Sequence, residues 1–185
     1  MRSRSEGGEA DHAPPLLITP GEPAGIGPEL VAAWFARSPA GAGPGPVVVA
    51  DPDLMRRAAA PFPELRVVEV EEDLSRPFIG PGRMPVLPLS LRARERPGEP
   101  DPANGPYVLA TLEVAVAACL DGRAGGLVTG PVQKSSIAAG APDFRGHTEW
   151  LAERTGTETV VMMLVADDLR VALLTTHLPL APVPG

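Results

Sequence analysis

The sequence predicts an α/β sandwich, a largely parallel sheet with helices packed on its faces. Three observations carry that prediction. Short apolar runs at Leu16–Ile18, Val47–Ala50 and Gly126–Thr129 alternate with longer segments of helical periodicity. Val47–Ala50 is continuously apolar, as expected of a strand covered on both sides. The runs also close on Gly, Pro or Thr, which stop an element and turn the chain.

Residues 1–15 are polar and carry Gly7, Gly8, Pro14 and Pro15, so they read as a disordered leader. Residues 16–185 read as one domain portion. Leu16–Ile18 is a strand that ends at Thr19-Pro20-Gly21. Pro28 suits the first position of a helix, where its missing N–H costs nothing. Leu30, Val31, Trp34 and Phe35 carry that helix to Arg37, and Ser38–Pro46 follows as a Gly/Pro linker. After the strand Val47–Ala50, Asp51-Pro52 opens a helix over roughly Asp53–Ala60. Leu65–Val70 reads as a strand. Met84–Leu91 reads as another, but Pro85 and Pro88 assign it to an edge or a loop. Arg92–Gly105 is charged, Pro-rich and expected to be exposed. Pro106 opens the best helix, with Val108, Leu109, Leu112, Val116, Cys119 and Leu120 on one face and Asp121-Gly122 at its end. Gly126–Thr129 is a strand broken by Gly130-Pro131, and Thr148–Arg154 is a short helix. Thr159–Val165 and Leu169–Thr175 read as a β-hairpin about Ala166-Asp167-Asp168.

Composition limits the partners. Sixteen basic and 23 acidic residues give a net charge of −7, with no basic footprint for nucleic acid. No run of about 18 uninterrupted apolar residues suggests a membrane span, and the polar start lacks the apolar core of a secretory signal. A single cysteine, Cys119, excludes an internal disulfide and suits a reducing compartment. A cytoplasmic protein with neither nucleic-acid nor membrane partners is expected. The 24 Pro and 20 Gly, with Lys134 the one lysine among sixteen basic residues, fit a GC-rich coding bias rather than wholesale disorder.

In a parallel sheet, ligands bind at the carboxyl ends of strands, so four loops matter. Thr19–Glu29 holds Gly21, Gly25 and Gly27 between strand and helix. It suits an anion at a helix N-terminus or an ordinary tight connection. It is not a Rossmann fingerprint, since Leu30 stands where a third Gly would be needed, and no P-loop follows. Lys134, just past Thr129-Gly130-Pro131, can hold a phosphate or carboxylate or stand in solvent. His147 follows Gly146 and precedes Thr148, a residue able to cap the next helix. His177 follows the last apolar run, where an imidazole can bind a divalent metal or move a proton. Only His12 and His147 could join it, so histidines alone do not complete a zinc site. No serine lies in a nucleophile elbow, and Cys119 on an apolar helix face reads as inert.

Together these loops form a family pattern. ITPGEPAGIGPEL, NGPYVLATLEVAVAACLDGRAGGLVTGPVQK, FRGHTEWLAERTGT and VVMMLVADDLRVALLTTHLPL resemble, in order, the 4-hydroxythreonine-4-phosphate dehydrogenase family of pyridoxine biosynthesis. The resemblance runs from about Leu16 to Leu180 and is weakest over Ser38–Arg96. It implies an isocitrate/isopropylmalate-dehydrogenase-like fold, which does without the Gly-x-Gly-x-x-Gly fingerprint. It also implies oxidation of 4-phosphooxy-L-threonine to the 3-oxo acid by NAD (or NADP) and a divalent metal such as Zn, Mg or Co. That acid decarboxylates to 3-amino-2-oxopropyl phosphate on the way to pyridoxal 5'-phosphate. The family's substrate-binding His-Thr pair falls on His147 and Thr148, and its first metal histidine on His177; no catalytic residue carries over. Gln133 stands where many members have His. Family chains are about twice as long, with the other two metal histidines and further substrate contacts beyond the length seen here. The resemblance further implies a homodimer with the active site at its interface, and an N-terminal portion that is inactive alone. Related enzymes acting on threonate or erythronate 4-phosphate, and a non-catalytic remnant that binds a phosphorylated ligand or a paralogue, are the alternative readings.

Overall fold

A computed structural model describes residues 13–38, 45–74, 80–138 and 144–175. The chain divides into two compact units, Met1–Asp143 and Phe144–Gly185.

The first unit is a five-stranded sheet of β1 (Leu16–Thr19), β2 (Val47–Ala50), β3 (Arg66–Glu69), β4 (Arg83–Pro88) and β5 (Gly126–Thr129). Their order is β3-β4-β2-β1-β5, and every pairing is parallel. One face is covered by α1 (Gly27–Arg37) and α2 (Pro52–Ala58): Val31, Ala32, Leu54 and Met55 pack there on Val48, Ala50, Met84 and Val86. The other face takes α3 (Gly105–Leu120), whose Ala115 and Ala118 lie with Leu17, Val47, Val49 and Leu87. Alternate residues of β2 thus feed opposite cores, which explains its unbroken apolar run.

Several features differ from the sequence expectation. β4 lies inside the sheet, not at its edge. Its pairing with β2 begins at Val48↔Val86, one residue after Pro85, and ends at Ala50↔Pro88. Pro85 therefore precedes the β2 ladder. The nitrogen of Pro88 faces the β3 side, beyond the last pair Glu69↔Val86. On α3, Tyr107, Val108, Thr111, Leu112, Ala115 and Val116 are buried, while Leu120 is 62% exposed. The apolar stripe is rotated toward Tyr107 and Thr111 because the small residues face the sheet. Pro102–Leu120 is long and apolar enough to cross a membrane by length and composition, but here it serves as a core helix. On α1, Val31 is buried, whereas Ile26, Leu30 and Trp34 form an exposed stripe at four-residue spacing. At the start of the described chain, Pro15 is already fixed, its carbonyl accepting from Gly125 N–H at 2.9 Å. Residues 1–12 of the expected leader and 39–44 of the linker lie outside the described residues.

Side chains fasten the carboxyl edge of β2. The Asp51 carboxylate accepts from Leu54 N–H, capping α2, and from Leu91 N–H, both at 2.9 Å. The Asp51 N–H donates to the Tyr107 hydroxyl at 2.9 Å, and burial pushes that phenol's pKa far up. Asn104 accepts from Arg92 and Ala93 N–H and donates to the Ala93 carbonyl. The charged segment after β4 is thereby held in place, and Glu95 within it is buried against Arg57.

The second unit contains α5 (His147–Thr155) and an antiparallel hairpin of β6 (Met163–Ala166) and β7 (Leu169–Ala172). The short helix α4 (Lys134–Ala138) belongs to the first unit. The hairpin is shorter than expected, with Ala166↔Leu169 closing on Asp167-Asp168. Asp167 carries the positive φ of 49°, a conformation that Asp tolerates better than most residues. The hairpin forms its own two-stranded sheet and does not extend the parallel one. Leu164, Val165 and Leu169 are 60, 61 and 64% exposed.

Candidate functional site

Strand order fixes where a ligand can sit. From β1 the chain passes through α1 to β2 on one side. From β4 it returns through α3, on the opposite face, to β5 on the other side of β1. The chain leaves β1 for α1 on one face and leaves β5 for α4, which packs with α3 on the other; the crevice between such diverging connections at the carboxyl ends is where open α/β sheets bind ligands. The two loops at this point are Pro20–Ile26 and Gly130–Gln133, two of those singled out by sequence.

They are stitched to each other. Glu22 N–H donates to the Pro131 carbonyl at 2.9 Å, and Gly130 N–H to the Thr19 carbonyl at 2.7 Å. The glycines here serve the chain's own backbone. A Cβ on Gly21, which has φ +83°, would land on the Pro131 carbonyl oxygen; on Gly27 or Gly130 it would land on that of Pro20. Gly25 is less constrained: a Cβ there would lie 3.2 Å from the Glu22 carbonyl oxygen. α1 then begins at Ile26-Gly27 with no side-chain cap and with Pro28 in its first turn, so its leading N–H groups have no side-chain acceptor. Lys134 is the first residue of α4, not a loop residue, and its side chain is exposed.

Two polar residues that the sequence reading passed over are buried here. Glu22 is 5% exposed, and its carboxylate accepts from Ala24 N–H at 3.3 Å. Thr19 is 1% exposed, and its hydroxyl has no partner among the described residues. The only signal in the sequence was a carboxylate enclosed between two prolines, Pro20-Gly21-Glu22-Pro23.

His147 and Thr148 open α5 in the second unit. The cap is Gly146, with no side-chain hydrogen bond, so Thr148 lies inside the helix and does not cap it. A glycine at the cap lets the helix begin one residue earlier than expected, with His147 in its first turn. The His147 Nε2 is buried without a partner among the described residues, and burial lowers the imidazole pKa from its usual range. The unfolded chain then takes up this proton first as pH falls from about 6.5. This histidine's contribution to stability is therefore complete above about pH 6.5 and is lost as pH falls through the lowered folded pKa. Measured against a His147→Gln variant, chain stability is expected to fall more steeply with acid in that window. Identical acid limbs of the two melting curves would contradict this.

His177 and His12 lie outside the described residues. Among the described residues no three His, Cys, Asp or Glu side chains gather as a metal site. Those residues therefore do not by themselves make a metal centre. Cys119 is partly buried against the α3 side of the sheet, and burial raises its thiol pKa, as suits an inert side chain.

Residues 43–185 match the family model of "Pyridoxal phosphate biosynthetic protein PdxA", more than three quarters of the chain. The chain belongs to the PdxA family. It is 49% identical over 177 residues to the 4-hydroxythreonine-4-phosphate dehydrogenase of Aromatoleum aromaticum, covering 93% of this chain and 50% of that protein. It is 50% identical to the protein of that name from Thioalkalivibrio sulfidiphilus, over 92% of this chain and 51% of the relative. The chain thus spans about half the length of the curated relatives it matches. The crystal structure of the Klebsiella pneumoniae 4-hydroxythreonine-4-phosphate dehydrogenase superposes with a TM-score of 0.81 at 29% identity, over 90% of this chain and 52% of that one. A terephthalate 1,2-cis-dihydrodiol dehydrogenase from Burkholderia xenovorans, 24% identical with a TM-score of 0.65, shares the fold. The PdxA family match includes the β5 loop, Lys134, His147, Thr148 and His177, while the glycines at 21, 25 and 27 precede its first matched residue.

Proposed function

We propose that this PdxA-family chain contributes to a dehydrogenase site that oxidises 4-phosphooxy-L-threonine at its 3-hydroxyl, with NAD (or NADP) accepting the hydride. The observation that carries the reading is the 49% and 50% identity to proteins named for that activity, over more than nine tenths of this chain. Those names belong to proteins about twice as long, so activity, substrate and cofactor are all part of the proposal. His147 and Thr148 hold the substrate. His177 supplies one ligand to a divalent metal that, when bound, stabilises negative charge on the substrate's oxygen. Lys134 and the capless start of α1 offer positive charge and open N–H groups to anionic parts of substrate or cofactor. The 3-oxo acid loses carbon dioxide to give 3-amino-2-oxopropyl phosphate. The working assembly in this reading is a cytosolic homodimer with the site at its interface.

Calorimetric titration of the chain with 4-phosphooxy-L-threonine, and in parallel with threonate 4-phosphate, tests the reading. Saturable binding of the amino-acid phosphate is expected, weakened about tenfold in His147→Leu, the loss of one good hydrogen bond. Preference for the threonate ester would move the assignment to a sugar-acid phosphate. Binding of neither would overturn the substrate reading.

A further inference from the structure

His147 presents a specific problem. Its Nε2 is one of two buried side-chain polar atoms without a partner among the described residues, the other being Thr19 Oγ1. Ring nitrogens stripped of water without a partner are unfavourable, and an imidazole in the first turn of a helix can ordinarily rotate out to solvent. Something must hold it in.

The neighbour in place to do so is Phe144. It is 7% exposed, and its ring meets the imidazole edge-to-face, with centroids 6.3 Å apart and planes at 82°. That is a preferred arrangement for two aromatic quadrupoles. Phe144 lies three residues before His147, ahead of α5, and the extended Gly146 lies between them. The phenyl is therefore anchored outside the helix that carries the imidazole and can limit its rotation. Other groups nearby on α5 point elsewhere: Glu149 is exposed, and Arg154 stacks over Trp150 at 5.3 Å.

We propose that Phe144 is a positioning residue: its buried ring holds the His147 imidazole edge-to-face in one orientation, ahead of contact with the phosphorylated substrate. This rests on the reading of His147 as a substrate contact. Phe144 itself touches no ligand; it acts by removing the rotational freedom that His147 would otherwise lose on binding.

The test uses the full chain labelled with nitrogen-15 at a fixed alkaline pH, with His147 signals assigned by their loss in His147→Gln. In the parent, the two imidazole nitrogen shifts are expected to differ from those of free histidine and to move on adding 4-phosphooxy-L-threonine. In Phe144→Leu the shifts should relax toward the free-histidine pattern, with ligand affinity down roughly 2- to 10-fold. Phe144→Tyr, which keeps the ring, should restore both. Should the leucine variant fail to fold, Phe144→Met removes the ring while retaining an unbranched apolar side chain and answers the same question. Ligand that leaves the parent His147 signals unmoved removes the substrate contact, and the proposal with it. Ligand that moves them, with a ringless variant indistinguishable from the parent in both shifts and affinity, overturns the positioning role alone.

Discussion

Gly27→Ala is expected to cost about 3 kcal/mol of unfolding free energy, at the upper end of ordinary overpacking. Helix propensity argues for the opposite sign, because Ala is favoured over Gly in a helix by about 1 kcal/mol, and Gly27 is the first residue of α1. The close approach decides. A methyl there would land on the Pro20 carbonyl oxygen, a backbone atom in the loop that joins β1 to α1. Relief would require moving that loop, which is itself tied to Pro131 by the Glu22 N–H. Gly122→Ala is the natural control: its φ is +73° but nothing lies within 4 Å of the added Cβ. It should therefore lose only the 1–2 kcal/mol of a left-handed residue. Urea midpoints of the two variants and the parent settle the order. A Gly27→Ala variant as stable as the parent would mean that the loop is slack.

The second large effect concerns the hairpin. Leu164 and Val171 face each other across β6 and β7 and share that face with Leu169, and all three are well exposed. Contiguous apolar surface of this kind binds dyes and drives association. The chain is expected to enhance the fluorescence of a hydrophobic dye and to scatter light increasingly with concentration. Leu164→Lys with Val171→Glu places opposite charges directly across the ladder, where such pairs are favourable. This double variant should retain the hairpin, lower dye enhancement at least about twofold, and suppress the scattering, since it removes two of the patch's large side chains. Unchanged dye binding and scattering would place the sticky surface elsewhere, with the exposed Ile26, Leu30 and Trp34 stripe of α1 the next to change.

The parallel sheet was legible because its strands are short, continuously apolar and punctuated. Val47–Ala50 needs no tertiary information to be read as doubly covered. What was not legible depended on neighbours. Pro85 and Pro88 argue for an edge only until the register shows which neighbour each nitrogen faces. The α3 face was misjudged because large apolar residues were counted as buried, whereas Ala115 and Ala118 are what allow the helix to approach the sheet. The glycines of the first loop read equally as room for a ligand or as a tight connection, and the contacts of Gly21 with Pro131 and of Gly27 with Pro20 are of the second kind. Of the candidate site, the loops after β1 and β5 can be located from the strand ends alone. That they adjoin is a property of strand order, which no local pattern encodes. The edge-to-face contact of Phe144 with His147 was likewise invisible, since nothing in Phe-Arg-Gly-His says which way either ring turns.

The prolines of β4 have one more consequence. Hydrophobic patterning guards a strand against slipping by one residue, which would turn its inward side chains outward, but it is blind to a slip of two. From Met84 to Pro88 β4 is apolar throughout, so there that is the error to fear. Slide β4 so that Pro85 takes the position of Leu87, and a nitrogen with no hydrogen faces β2 where a donor is required. Slide it the other way, and Pro88 takes the position of Val86, depriving β3 instead. Both displaced alignments forfeit a ladder bond that the native one keeps. The two residues that look like flaws in the strand act as stops at either end of its travel, and they fix the one alignment in which the crevice above β1 and β5 is built on a correctly ordered sheet.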